Sequence, residues 1–357
     1  MKRGKRGKRV KKKSSIGFDS GILIYGGESQ DDFFYVYNEE KGEYDLAGGK
    51  MNAETYYLYN VETGEYESYP MKEGKRYKHT AVSLHDGSVL LIGGIRERFF
   101  GAYVNNILKF NPNDNTFKVV YTDNENNLGY SMAAVVLESG DVFLCGGMTA
   151  NGVSKSSFIF NVKTNELTRS LDLDEPCYGH SACLAPNGNA LIIGGINLKA
   201  EGEENERDEY NDNNKKVSRQ IYEVQFDRKR ISEGGELMMK RFGHTSTTLS
   251  NGEIFVFAGK NYYRNSDERY QSEYFDPDLG GYFQWGPVCE KPKKNHFAVL
   301  LPDDTVFIGG GGDYYQSLIY KNNPRSITEG KDFPFKVPKY CTGSFFRKSQ
   351  SINNNNN

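Results

Sequence analysis

The side chains of this 357-residue chain that are able to carry chemistry are few and regularly placed. Of its five histidines, His79, His180, His244 and His296 each stand 14 residues ahead of a pair of small residues, and His85 lies in a short turn. Histidine moves protons near neutral pH or ligates metals through its neutral imidazole. In one repeat, however, the slot holds Met132, which can do neither task in the same way, so the pattern reads as packing and hydrogen bonding. The five cysteines (Cys145, Cys177, Cys183, Cys289, Cys341) form no C-x-x-C pair and no even framework, which argues against both a zinc site and a disulfide-stapled secreted module. Cys145 and Cys183 fall in apolar strand patterns and are expected as buried reduced thiols. No G-x-S-x-G, phosphate loop or H-E-x-x-H is present, so no catalytic residue, metal ligand or cofactor is expected.

The elements that position these residues are strands. The chain holds 39 Gly, 25 Tyr and 22 Phe, a composition of many short strands joined by tight turns. Apolar strands ending in small residues recur as Leu90-Leu91-Ile92-Gly93-Gly94, Phe143-Leu144-Cys145-Gly146-Gly147, Ile192-Ile193-Gly194-Gly195, Phe255-Val256-Phe257-Ala258-Gly259 and Phe307-Ile308-Gly309-Gly310-Gly311, with an earlier copy at Ile22-Leu23-Ile24-Tyr25-Gly26-Gly27. From Gly93 the aligned positions are 53, 48, 64 and 52 residues apart. Between each slot and its small pair runs a strand and a turn: Asp86-Gly87, Ser139-Gly140, Asn187-Gly188, Asn251-Gly252 and Asp303-Asp304. Downstream comes a second hairpin marked by an aromatic residue and Asn or Asp, as in Phe110-Asn111-Pro112, Phe160-Asn161, Phe226-Asp227 and Phe275-Asp276-Pro277. Paired glycines at a strand end allow positive φ and close approach of neighbouring backbones.

Four antiparallel strands per ~50 residues is the signature of a propeller blade, and these residues resemble the kelch repeat. His79 to Gly94 and Ser272-Glu273-Tyr274-Phe275-Asp276-Pro277 are similar to the variant found in galactose-oxidase-type propellers. The resemblance covers about residues 20 to 346 and implies an all-β, kelch-type β-propeller. Inner strands are expected near His79, Met132, His180, His244 and His296, and a sixth at Lys339 to Phe346, where it would complete the first blade beside Ile22 to Gly27 and close the ring. Tyr37 to Tyr44 and Tyr59 to Tyr66 are near copies 22 residues apart, read as a duplicated outer hairpin inserted in blade one. That gives six four-stranded blades, with seven as the alternative. The galactose-oxidase resemblance implies copper held by histidines outside the repeat slots, and only His85 lies outside them. The single Trp285 belongs to no sialidase-type turn.

With strands a to d running outward, a–b and c–d turns share one face and b–c and d–a connections the other. The first set is uniformly short; the second holds the length variation, at Arg96 to Val104, Thr122 to Gly129, Ile196 to Gln220, Lys260 to Gln271 and Val288 to Asn295. Rigid scaffolds usually place binding residues on such loops. The candidate protein-binding residues there are Arg96, Arg98, Phe99, Phe100, Tyr262, Tyr263, Arg264, Lys293, Lys294, Tyr314 and Tyr315, rich in the types that dominate interface hot spots. Phe99 and Phe100 are equally readable as buried under their loop. Tyr77, Tyr130, Tyr178 and Phe242, two residues before the slot, either ring the central mouth or wedge neighbouring blades apart.

Residues 1–15 read as a basic tail, 16–346 as the propeller and 347–357 as an Asn-rich tail. Met1 to Lys13 carries nine Lys/Arg and no acid, leaving the rest of the chain at −11. Such a run is a nuclear-localisation signal, an arm on nucleic acid or anionic lipid, or a solvated tail. No apolar stretch of signal-peptide or membrane-span length follows it, so an intracellular protein, cytoplasmic or nuclear, is expected, with no membrane contact and nucleic acid touched at most by the tail. Glu201 to Asp212 holds seven acids and one Arg, either a solvated loop or an acidic lip that attracts a basic partner or the chain's own tail. The functional expectation is a monomeric interaction module, an adaptor or scaffold for an unidentified partner protein. The alternative is a galactose-oxidase-like or carbohydrate-binding propeller.

Overall fold

Short apolar runs form the second strand of every blade because both of its faces are covered. Val89–Ile92, Val142–Cys145 and Ile254–Phe257 are buried at every position, whereas outer strands such as Tyr66–Pro70 and Thr116–Thr122 alternate with solvent. That difference follows from stacking: each blade packs face to face on two neighbours, which cover its second strand, while its outermost strand meets water. The computed structural model describes residues 19–27, 55–71, 74–96, 102–198, 215–260, 272–276, 282–289, 293, 295–311, 315–333, 335, 337 and 340–349, and the backbone at 34–38 and 43–47.

Six four-stranded antiparallel blades are present. Blade one pairs Thr342–Arg347, Ser20–Tyr25, Thr55–Tyr59 and Tyr66–Pro70 from the centre outward. Blades two and three are Thr80–Ser83, Val89–Ile92, Asn106–Asn111, Thr116–Thr122 and Ala133–Val136, Val142–Cys145, Ser157–Asn161, Glu166–Arg169. Blade four is Ser181–Leu184, Ala190–Leu198, Lys215–Gln225 and Arg230–Glu236. Blades five and six are Thr245–Thr248, Ile254–Phe257, Ser272–Asp276, Tyr282–Trp285 and His296–Leu300, Thr305–Gly310, Ser317–Lys321, Ser326–Glu329. The C-terminal clasp forms as expected, pairing Ser20 with Arg347 through Tyr25 with Thr342. A separate hairpin, Phe34–Asn38 with Glu43–Ala47, is inserted between the second and third strands of blade one, so the duplication adds no seventh blade.

The core is divided among the blade interfaces. Leu23, Leu58, Leu91 and Phe110 fill the space between blades one and two, Leu90, Ile107, Leu144 and Phe160 that between two and three, and Ile22, Ile24, Phe297 and Phe307 the closing interface of six with one. In blade four the connection expected from Ile196 to Gln220 is instead strand at both ends: Ile196 pairs with Val217 and Leu198 with Lys215. A bulge at Gly195 lets these strands continue past the usual end of the blade, and Cys177–Tyr178 adds to them.

Just before each inner strand stands a residue with left-handed backbone: Lys78 (φ 53°), Ser131 (53°), Gly179 (67°), Gly243 (62°), Asn295 (53°) and Tyr340 (53°). Lys78 N–H donates to the Tyr340 carbonyl at 3.2 Å, Ser131 to Lys78 at 2.9 Å, Gly179 to Ser131 at 3.1 Å, Gly243 to Gly179 at 2.9 Å and Asn295 to Gly243 at 2.9 Å. Five bonds thus chain the six blades around the axis. A Cβ at Gly243 would lie 2.7 Å from Asn295 Oδ1, and the left-handed conformation costs an L-residue about 1–2 kcal/mol. Gly243→Ala is therefore expected to destabilise the fold by at least that amount in urea titrations; a neutral Gly243→Ala would contradict the ring.

Candidate interaction face

The slot histidines sit where the inner strands begin, and each reaches backward to the preceding blade. His79 Nε2 shares a hydrogen bond with Thr342 Oγ1 at 2.7 Å, His244 Nε2 with Ser181 Oγ at 2.9 Å and His296 Nε2 with Thr245 Oγ1 at 2.9 Å. His180 instead lies between two thiols, Cys145 Sγ at 3.4 Å from Nε2 and Cys177 Sγ at 3.4 Å from Nδ1. Met132 substitutes its sulfur, which accepts from Gly129 N–H, and its carbonyl accepts from Thr80 Oγ1 at 2.6 Å. These are staples between blades. All five cysteines are buried and form no disulfide, and among the described residues no His, Cys, Asp or Glu side chains converge to hold a metal ion.

Three residues before the slot, a backbone carbonyl receives the second small residue of the previous blade: Gly27 N–H donates to Arg76, Gly94 to Gly129, Gly147 to Cys177, Gly195 to Arg241 and Gly259 to Lys293. A Cβ at Gly26 would lie 2.3 Å from the Arg76 carbonyl, and one at Gly93 would lie 2.2 Å from that of Gly129, so close backbone approach explains the repeated glycines. Where this position carries a cation, the charge turns inward. Arg76 donates to the Gly74, Leu91, Gly93 and Asn106 carbonyls and to Asn106 Oδ1. Arg241 pairs with Glu273 and donates to the Ala258 carbonyl. Lys293 Nζ donates to the Gly310 carbonyl at 3.2 Å.

The binding residues proposed from sequence therefore separate. Lys293, buried and used inside, is corrected from a surface contact to a support of the strand end. Tyr77 is also buried and bridges Ile95, which matches wedging rather than presentation. Tyr130 and Phe242 make equivalent bridges to Met148 and Lys260, and Tyr178 pairs with Ile196; these three are half-buried at the mouth. Arg96 is exposed, and Tyr315 is 50% exposed. Arg98, Phe99, Phe100, Tyr262, Tyr263, Arg264, Lys294 and Tyr314 lie outside the described residues, as do the basic tail, residues 350–357 and Glu201 to Asp212.

Several mouth residues were not legible from the repeats. Lys78 Nζ stands over the Tyr130 ring at 5.1 Å and the Tyr340 ring at 5.0 Å, contacts worth about 0.5–1 kcal/mol each at a wet site, and Tyr103 stacks on Tyr130 at 6.0 Å. Below them a channel of about 260 Å³ runs between the inner strands, lined by small side chains such as Ala81, Ala134, Ser181 and Ala182. On the same face, Met238 and Val288 in d–a connections are 41% and 62% exposed, and Trp285, ending an outer strand there, is 49% exposed. Glu273 joins two of them: it is the cross-strand partner of Trp285, and its Oε2 accepts from Met238 N–H at 2.6 Å.

Burial holds the slot imidazoles neutral, lowering His180 to about 4 and His296 to about 3; His79 and His244 are lowered by burial and further by Arg76 and Arg241 beside them. The unfolded chain takes up protons below about pH 6.5 and the fold does not, so stability is full above that pH and falls as pH drops towards 4, by about 1.4 kcal/mol per unit for each histidine. His296→Met, copying the Met132 slot, should reduce the loss in urea midpoint between pH 7.5 and 5.5 by one histidine's share; an unchanged slope would contradict buried neutral imidazoles.

No curated protein matches the chain. The sequence model of the Attractin/LZTR1 β-propeller family matches residues 3–267, more than half of the chain and the segment that supplies the three outer strands of blade one, blades two to four and the first two strands of blade five. With kelch-type repeat markers, six closed blades and this match together, the chain belongs to the Attractin/LZTR1 β-propeller family.

Proposed function

We propose that this propeller is an adaptor or scaffold that binds a partner protein through the face carrying the b–c and d–a connections. One observation carries the reading: of the six exposed large apolar residues among those described, Met238, Trp285, Val288 and Tyr315 lie on or at that face, in blades four to six. The other two, Tyr66 and Val119, belong to outer strands of blades one and two. A fold that buries large apolar side chains at every blade interface leaves these four in water on one side of the ring, and apolar surface concentrated on one side suits an interaction site. Trp and Tyr are also the residues most often found at binding hot spots.

The mouth complements that patch. Tyr130, Tyr340 and Lys78 form a rigid aromatic and cationic rim whose backbone is fixed by the left-handed ring, so little ordering entropy is lost when a partner lands on it. Membership in a family of interaction propellers supports the same reading. The slot histidines point to no chemistry, because each is spent on an inter-blade contact.

The full-length chain carrying Trp285→Ser with Tyr315→Ser should lose at least tenfold in recovery of the proteins captured by wild type. His85→Ser, exposed in the a–b turn on the opposite face, should recover them unchanged. Equal capture by the double variant, or loss with His85→Ser alone, would place the interaction elsewhere.

A further inference from the structure

Away from the channel, a second concavity of about 690 Å³ opens between blades one and two. Its walls are aromatic: Tyr25, Tyr56, Tyr69 and Phe117, with Met71 and Leu108 beneath. Tyr56 stacks on Tyr69 at 5.2 Å and meets Phe117 edge-on at 5.0 Å. The volume is that of a ligand or side-chain site.

The polar groups at its outer end are arranged to accept. Tyr69 donates its hydroxyl proton to Glu67 Oε2 at 2.6 Å, so its oxygen must accept, and it does so from Asn115 Nδ2 at 3.1 Å. That relay fixes the Asn115 amide, since the reversed amide would set two acceptors against each other. Asn115 Oδ1 is left buried without a hydrogen-bond partner among the described residues. A buried acceptor so placed costs about 1–3 kcal/mol until a donor reaches it. Asp114 stands at the lip, and Arg76 lies behind Tyr25 and Gly74 at the inner end. The site thus suits a cationic donor with an aliphatic stem at the Asn115 end, where electron-rich ring faces add attraction.

The chain supplies such a group nearby. Asp19, where the first blade strand is reached, accepts at its carbonyl from Lys348 N–H at 2.7 Å. The next residue, Ser349, donates from N–H and Oγ to Asn113 Oδ1, both at 3.0 Å, one residue from Asp114. Five residues, Ser14 to Phe18, separate Asp19 from Lys13 and the eight basic residues before it, and such a segment spans up to about 20 Å. We propose that the aromatic cleft between blades one and two binds a lysine or arginine side chain of the chain's own basic segment, Met1 to Lys13.

The test uses full-length protein in which the nine basic residues of that segment are changed to Gln, titrated with a synthetic peptide of residues 1–13 and followed by calorimetry. Saturable binding is expected, weakened at least tenfold by Glu67→Gln with Asp114→Asn and also by Tyr69→Ala, and unaffected by neutralising the acids of Glu201 to Asp212. A short tether gives an effective concentration of about 1 mM, so wild type, with its site filled in cis, should bind the peptide about tenfold more weakly when the free-site Kd is about 0.1 mM. Absence of saturable binding would overturn the proposal. So would binding that survives both sets of cleft variants, binding lost with the Glu201 to Asp212 acids, or equal affinity in wild type.

Discussion

Everything in this fold depends on what the axis of the ring will accommodate. Six inner strands converge there, and the chain must turn from the rim of one blade into the centre of the next within a few residues. The turn is made by a left-handed residue in each blade, from Lys78 to Tyr340, whose N–H groups and carbonyls bond one blade to the next. A lysine, a serine and a tyrosine hold that conformation despite its cost, because the surrounding hydrogen bonds determine it. The buried histidines and glycine pairs then follow: an imidazole reaching a hydroxyl in the neighbouring blade, and a glycine letting the next carbonyl approach closely.

Much of this architecture was legible in the sequence. The constant interval from the slot to the small pair is the length of an inner hairpin, and it gave five inner strands; the Lys339 to Phe346 segment gave the sixth and the clasp. The near copy of Tyr37 to Tyr44 at Tyr59 to Tyr66 was readable as an extra hairpin because 22 residues cannot make a blade. Packing roles for the histidines were readable because Met132 shares their slot. The left-handed ring is not encoded in residue type: only Gly179, Gly243 and Asn295 carry a type that favours it, and three unlike residues interrupt the signal.

The proposed interaction face was less legible, for a physical reason. Residue type and loop length say which face varies, but not which side chains the backbone turns inward. Lys293 sits in a long connection and still buries its ammonium against a carbonyl, while Tyr77 is drawn beneath Ile95. Trp285, which fits no repeat motif, is half exposed although its cross-strand partner Glu273 is fully buried against Arg241. Such exposure is a product of tertiary packing, and no periodicity encodes it.

The face and the scaffold are therefore one construction, in which a rigid mouth is held from beneath by inward-turned cations and flanked by apolar side chains that nothing in the ring covers. Hydrogen exchange of the full chain, alone and bound to its captured partner, tests this most directly. The account predicts added protection at 74–79, 126–132, 236–243 and 286–289, with none at the a–b turns 84–88, 137–141 and 185–189. Protection confined to those turns would contradict it.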